Sequence, residues 1–159
     1  MKLNAKAPFA RLWIMLLLTG LSMFTVSSLS SAATPKIGDS YAGGVVFYVD
    51  ATGQHGLVAA KADIAVRSSA KEEGFFNWYR ARVEANALVD GYCDWFLPNK
   101  DQLNQIYLNR SAVGGIVNTY YWSSSEEDPN KAWGQDFSSG EQLAGNKTNT
   151  SHVRAVRFF

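Results

Sequence analysis

The hydrophobic pattern divides the chain into a long apolar opening and a series of short amphipathic pieces. Leu12 to Val26 is almost continuously apolar, interrupted by Thr19, Gly20, Ser22 and Thr25. Past residue 40 no such run recurs. Gly43 to Asp50 is rich in β-branched and aromatic residues and predicts a strand; Ala51 to Gly56 is turn chemistry, and Leu57 to Ala60 resumes the strand pattern. Together they predict a β-hairpin. Residues 61–74 are polar and give no clear period. Between Asn77 and Val89, Trp78, Ala81, Arg82, Ala85, Leu88 and Val89 recur at three- and four-residue steps, which predicts a helix with one buried stripe. Asp90-Gly91 closes it, glycine suiting the left-handed position after a helix end.

Cys93 to Leu97 is a short bulky apolar piece stopped by Pro98. Asn99 followed three residues later by Gln102 has the form of a reciprocal cap, and Leu103, Ile106 and Tyr107 share a face, so a second helix is expected over residues 100–109. Gly114-Gly115 breaks it. The last third alternates aromatic bursts with polar linkers. Strands are predicted over 120–125, 132–137 and 153–158, with turns at 138–140 and 144–149. Two helices followed by an aromatic antiparallel sheet, without repeated βα units, define an α+β class.

The charge pattern gives the opening its meaning. Lys2, Lys6 and Arg11 precede the apolar run, and Ser31-Ala32-Ala33 supplies small residues after it, the layout of a secretory signal cut after Ala33. A membrane anchor is the alternative, but the run falls short of the roughly 20 apolar residues a span requires. The expected organisation is therefore a signal peptide over 1–33 and one domain over 34–159. The product would be exported to the periplasm, the cell surface or the medium, with no membrane span left. The whole chain carries 15 Lys+Arg against 14 Asp+Glu, formally +1; without the three basic residues of the signal the balance becomes −2. Nothing in it resembles the basic footprint of a nucleic-acid binder.

Chemistry is sparse. The two histidines, His55 and His152, the single cysteine, Cys93, and the lack of a Gly-x-Ser-x-Gly elbow leave few members for a nucleophilic triad. Neither a glycine-rich phosphate loop nor a metal-ligand spacing of histidines or cysteines is present. No catalytic residue is assigned. Cys93 has no intramolecular partner and is expected as a small buried hydrophobe. Trp95, Trp122 and Trp133 could stack on sugars, but their apolar settings favour the core. Arg154 and Arg157 are three apart in a predicted strand and so point to opposite faces, with acids such as Asp94 or Asp136, or a tryptophan, as partners.

Ser124, Ser125, Glu126, Asp128, Asn130 and Lys131 form the densest set of polar side chains, and Asn146, Lys147 and Asn149 form a second. A calcium ion takes six to eight such oxygens, often from one loop. A solvated acidic loop is the plainer reading, and no metal is assigned. The two segments are the candidate ligand-binding loops.

Five ordered motifs carry a resemblance: Gly38-Asp39-Ser40-Tyr41 with Gly43 to Tyr48; His55 to Ala60; Asp94-Trp95-Phe96-Leu97-Pro98 with Lys100-Asp101 and Leu103-Asn104; Tyr121 to Glu126; and Val153 to Arg157. The chain resembles the Lcl C-terminal domain family over about residues 37–159. The resemblance implies a fold related to C-type lectins and to the formylglycine-generating-enzyme group, here two helices packed on a twisted antiparallel sheet. It also implies an exported protein, often at the bacterial surface. The adhesin that names the family is implicated in binding sulfated glycosaminoglycans. Departures are a short middle segment before Asp94, Cys93 where a small hydroxyl residue is usual, no collagen-like stalk ahead of the domain, and no paired cysteines of the kind formylglycine generation needs.

The expectation is a non-catalytic binding module that meets a glycan or a surface protein through its polar loops. A net acidic balance disfavours the sulfated-polyanion version. A structural or assembly component of the envelope, recognisable by an exposed apolar patch and self-association into an oligomer, is the alternative. An enzyme would need a pocket joining His152 or Cys93 to nearby acids.

Overall fold

Local chemistry builds the first hairpin. In the computed structural model, which describes residues 33–64, 76–86 and 90–159, β1 (Ser40–Tyr41) and β2 (Gly44–Val49) lead into β3 (Gly56–Ala59). The β2–β3 turn is organised by Asp50, whose carboxylate accepts the Thr52 hydroxyl at 2.7 Å and the Thr52 N–H at 3.0 Å. The Thr52 hydroxyl is the main cause holding that carboxyl below its usual range. The pairing shifts between Val46 and Tyr48. Alternation along the strand sends adjacent apolar residues to opposite faces: Val46 joins one core cluster and Phe47 the other. Every residue of β3 is buried because its sheet is covered on both faces.

The helices follow, the first shorter than predicted. β4 (Phe76–Asn77) runs into α1 (Trp78–Glu84), where Asn77 caps the N-terminus by accepting the Arg80 N–H at 2.9 Å. Trp78, Ala81 and Ala85 are its buried stripe. The expected continuation to Val89 stops at Glu84, with Ala85 as the capping residue; Leu88 and Val89 lie outside the described residues. Gly91 does adopt the left-handed conformation, φ 83°, preceded by Asp90 at φ 49°. α2 (Lys100–Leu108) begins as predicted, with Asn99 and Gln102 exchanging hydrogen bonds at 2.8 and 2.9 Å, and buries Leu103 and Ile106. A short α3 (Arg110–Val113) follows and ends at Gly114, φ 69°.

The C-terminal third contains β5 (Tyr120–Glu126), β6 (Lys131–Asp136), β7 (Gln142–Asn146), β8 (Thr150–Ser151) and β9 (Val156–Phe158). Among the described residues these make three antiparallel sheets in place of the single expected sheet: β1-β2-β3-β9, β4-β8 and β5-β6-β7. The class is mixed α and β. Two predictions fail here. Residues 142–146 form a strand that takes in the first three residues of the turn expected over 144–149, because Gly134 and Gly145 leave room for the rings of Tyr120 and Trp122 across the sheet. Residues 153–155 leave the strand predicted over 153–158; Val153 and Ala155 instead accept from the Ile64 and Ala60 amides.

Ala33–Phe159 is one compact unit. Its first core cluster gathers Val46, Val58, Trp78, Trp95, Trp122 and Ala132; its second gathers Phe47, Leu57, Leu103, Ile106, Tyr121 and Phe137. The expectation of a buried Cys93 is corrected: the thiol is exposed. Its neighbours are drawn outward by Arg157, which clamps Asp94 through two hydrogen bonds of 2.8 and 2.9 Å and lies 3.8 Å from the centre of the Tyr92 ring. The predicted secretory segment, 1–33, lies outside the described residues except for Ala33, and no described helix is long and apolar enough to cross a membrane.

Candidate functional site

The two polar segments singled out in the sequence come together at the end of the β5-β6-β7 sheet. Antiparallel pairing of β6 with β7 sets Lys131 opposite Asn146, so the β5–β6 turn and the turn after β7 are neighbours. Asp128 shapes the first turn: its Oδ1 accepts the N–H groups of Asn130 and Lys131, each at 2.7 Å. The Asn130 amide and then the Lys131 amide, with the nearby ammonium charges, hold the Asp128 carboxyl below its usual range. Asn146 shapes the second turn in the same way, its Oδ1 accepting the Thr148 N–H at 3.0 Å and hydroxyl at 2.8 Å. The Asn149 N–H donates to the Asn146 carbonyl at 2.9 Å.

Lys147 joins the two turns from inside. Its side chain is 3% exposed, and its Nζ donates to Glu126 Oε2 at 2.5 Å, to the Asp128 carbonyl at 2.9 Å and to the Pro129 carbonyl at 2.9 Å. An ammonium has three N–H donors, and all three are used. The Trp78 ring lies 4.7 Å from the same Nζ. The Lys147 N–H donates to the Asn130 carbonyl and its carbonyl accepts the Trp78 N–H, so the main chain is pinned as well.

The nine predicted residues therefore take three roles. Ser124 and Ser125 are half-buried and tie the sheet to the start of α2: the Ser124 N–H donates to the Pro98 carbonyl, and the Ser125 hydroxyl accepts the Lys100 N–H at 2.9 Å. Glu126 and Lys147 form the ion pair between the turns. Asp128, Asn130, Lys131, Asn146 and Asn149 are exposed, along with Glu127 and Thr148. The oxygens that could have surrounded a calcium ion converge on the Lys147 ammonium. A six- to eight-oxygen shell does not fit where a bonded cation already takes the carboxylate and both carbonyls. Among the described residues no group of three or more histidine, cysteine or acidic side chains is placed to hold a metal ion.

Trp95 and Trp122 are core residues, as expected. Trp133 departs from that expectation: it is half-buried, and Lys100 Nζ sits 3.3 Å from its ring centre because α2 starts directly over β6. That face of the ring is covered.

A second polar cluster had no local signal. Asp63, from the stretch with no clear period, accepts the Arg154 Nε–H at 2.7 Å and the Tyr121 hydroxyl at 2.8 Å, and lies 3.0 Å from His152 Nδ1. Arg154 is fully buried and also donates to the carbonyls of Ala60, Gly114 and Gly115. Its partner is neither of the acids considered from the sequence; Asp94 pairs with Arg157, and Asp136 holds the Ser138 turn. Burial first, then the adjacent Asp63 charge, drives the Tyr121 phenol well above its ordinary range. Asp63 and Arg154 together tie Ala60, Gly114, Gly115, Tyr121 and His152 to one ion pair.

The family model of the Lcl C-terminal domain matches residues 53–157, more than half of the chain. The match includes both turns and the Asp63 cluster. No curated protein matches the chain.

Proposed function

The chain belongs to the Lcl C-terminal domain family, and from that premise we propose that it is a non-catalytic binding module of C-type-lectin-like fold, exported and adhesin-like, whose ligand is met by the paired polar turns. The observation that carries this reading is the rigid presentation of Asp128, Asn130, Lys131, Asn146 and Asn149 on turns fixed from within by Lys147. Preorganised amide, ammonium and carboxylate groups suit a hydroxyl-rich ligand, because side chains already held in place lose little freedom on binding. A neutral glycan or a surface protein fits this mixed set better than a sulfated polyanion, which would call for a basic field. The Asp63–His152 contact does not favour catalysis, since the same carboxylate is committed to Arg154 and Tyr121.

A glycan array probed with the wild-type protein, Asn130→Ala and Asn149→Ala tests the reading. Loss of a wild-type signal in both variants, at unchanged thermal stability, supports it. No binding to any glycan or surface protein removes it. The envelope-assembly alternative draws on the exposed Tyr41, Tyr92 and Phe158, and a stable oligomer by light scattering that dissociates in Phe158→Ser would favour it.

A further inference from the structure

We propose that Lys147 is the resident cation of the two turns, a covalently tethered charge in the position a metal ion would otherwise take, so that their order is independent of calcium. The inference holds whatever ligand the turns meet.

Three observations converge on it. First, the oxygens come from both parts of one turn: a carboxylate on the last residue of β5 and two successive main-chain carbonyls, of Asp128 and Pro129. Carbonyls aimed inward with a carboxylate beside them are how loops hold hard cations. Second, the charge that meets them is nearly fully buried while its acid partner is half exposed, 3% against 50%. The energetic burden of burial therefore falls on the ammonium, and only complete satisfaction of its three donors offsets it. Third, the Trp78 ring adds a further favourable contact for a cation, and that ring is itself fixed by donating Nε1–H to the Ser123 carbonyl at 2.8 Å. A cation carried on the chain has a high effective concentration and needs no binding equilibrium. Glu126, Asp128 and Lys147 are thus parts of one internal site, and the inward-facing carboxylate oxygen and both carbonyls there already accept from the ammonium.

Calorimetry on the purified full chain, with millimolar calcium chloride or with EDTA, gives the first arm. The Tm of wild type should move by less than about 1 °C in either, since a ligand held only by the native state would raise it by more. Amide hydrogen exchange gives the second arm. Lys147→Met keeps the length of the side chain and removes the charge. It should lower Tm by roughly 5–10 °C and speed exchange of the Asn130, Lys131 and Asn149 amides by on the order of tenfold or more. Glu126→Gln, a milder change at a half-exposed position, should speed the same amides by a smaller factor. A calcium-dependent rise in wild-type Tm overturns the proposal. So does unchanged exchange in these amides in both variants. If Lys147→Met does not fold, wild-type calorimetry and Glu126→Gln still decide.

Discussion

Replacing Arg154 by methionine removes a buried cation from four acceptor contacts at once. Asp63 would be left with the Tyr121 hydroxyl and His152 but without its strongest partner, and the carbonyls of Ala60, Gly114 and Gly115 would lose their donor. Breaking a buried pair from one side costs about 3–5 kcal/mol. The Asp63 side chain keeps 17% exposure, which favours the lower end, while each carbonyl left dry adds about 1–3 kcal/mol. With each carbonyl taken at the low end the total is about 6 kcal/mol, a large share of the roughly 5–15 kcal/mol that holds an average domain together. In urea the midpoint should fall by about 2–3 M at an unchanged m-value. Arg154→Lys keeps the charge but not the planar fork, and should lose about half as much. A methionine variant within about 1 kcal/mol of wild type would refute the assignment. So would a lysine variant equal to wild type, because the fork would then be unnecessary.

The alkaline limb of stability should be set partly by two tyrosines. Burial pushes the Tyr120 phenol up to about 12, and Tyr121 higher still. Both stay neutral in the fold while the unfolded phenols ionise near pH 10, so stability falls as pH rises above that value; Tyr120→Phe should flatten the decline in pH-dependent urea titrations. On the acid side, Asp94 is held below its ordinary range first by its hydrogen bonds to Arg157, and Asp136 by the Ser138 hydroxyl. Their contribution is present above the unfolded carboxyl pKa and is lost as pH drops through the lower folded values, so Asp94→Asn should show a shallower acid limb. Cys93 should react fully with a thiol reagent in the native protein, at the rate seen in urea within about tenfold; a native rate slower by orders of magnitude would contradict its exposure. Gly145→Val should lower Tm by more than 5 °C, on the order of 1–3 kcal/mol, since a Cβ there already meets the Trp122 ring at 3.0 Å.

Features that depend on neighbours in sequence were legible. The hairpin, the Asn99–Gln102 cap, the Leu103/Ile106 face and the aromatic strands at 120–126 and 131–136 all follow from local period or turn chemistry. Features made by distant partners were not. Residues 144–146, the last three of β7, read as part of a turn because Ala-Gly-Asn has no strand signature; the two large rings across the sheet select small residues there. Asp63 meets His152 and Arg154 from 89 and 91 positions away. Of the candidate site, the exposed polar residues were readable from composition. The inward turn of Lys147 was not, since a lysine between asparagine and threonine normally marks a solvated turn.

The first sheet is completed by β9, whose Phe158 pairs with Leu57 and Arg157 with Val58. A strand near the start of the domain thus finds its neighbour only in the final residues of the chain, a pairing of high sequence separation that slows folding. During synthesis the first hairpin must wait with one edge open, and Arg154, which anchors the residues just before β9, arrives equally late. The first sheet therefore gains its fourth strand only once Val156–Phe158 have emerged. Deleting Val156–Phe158 would leave one edge of β3 unpaired.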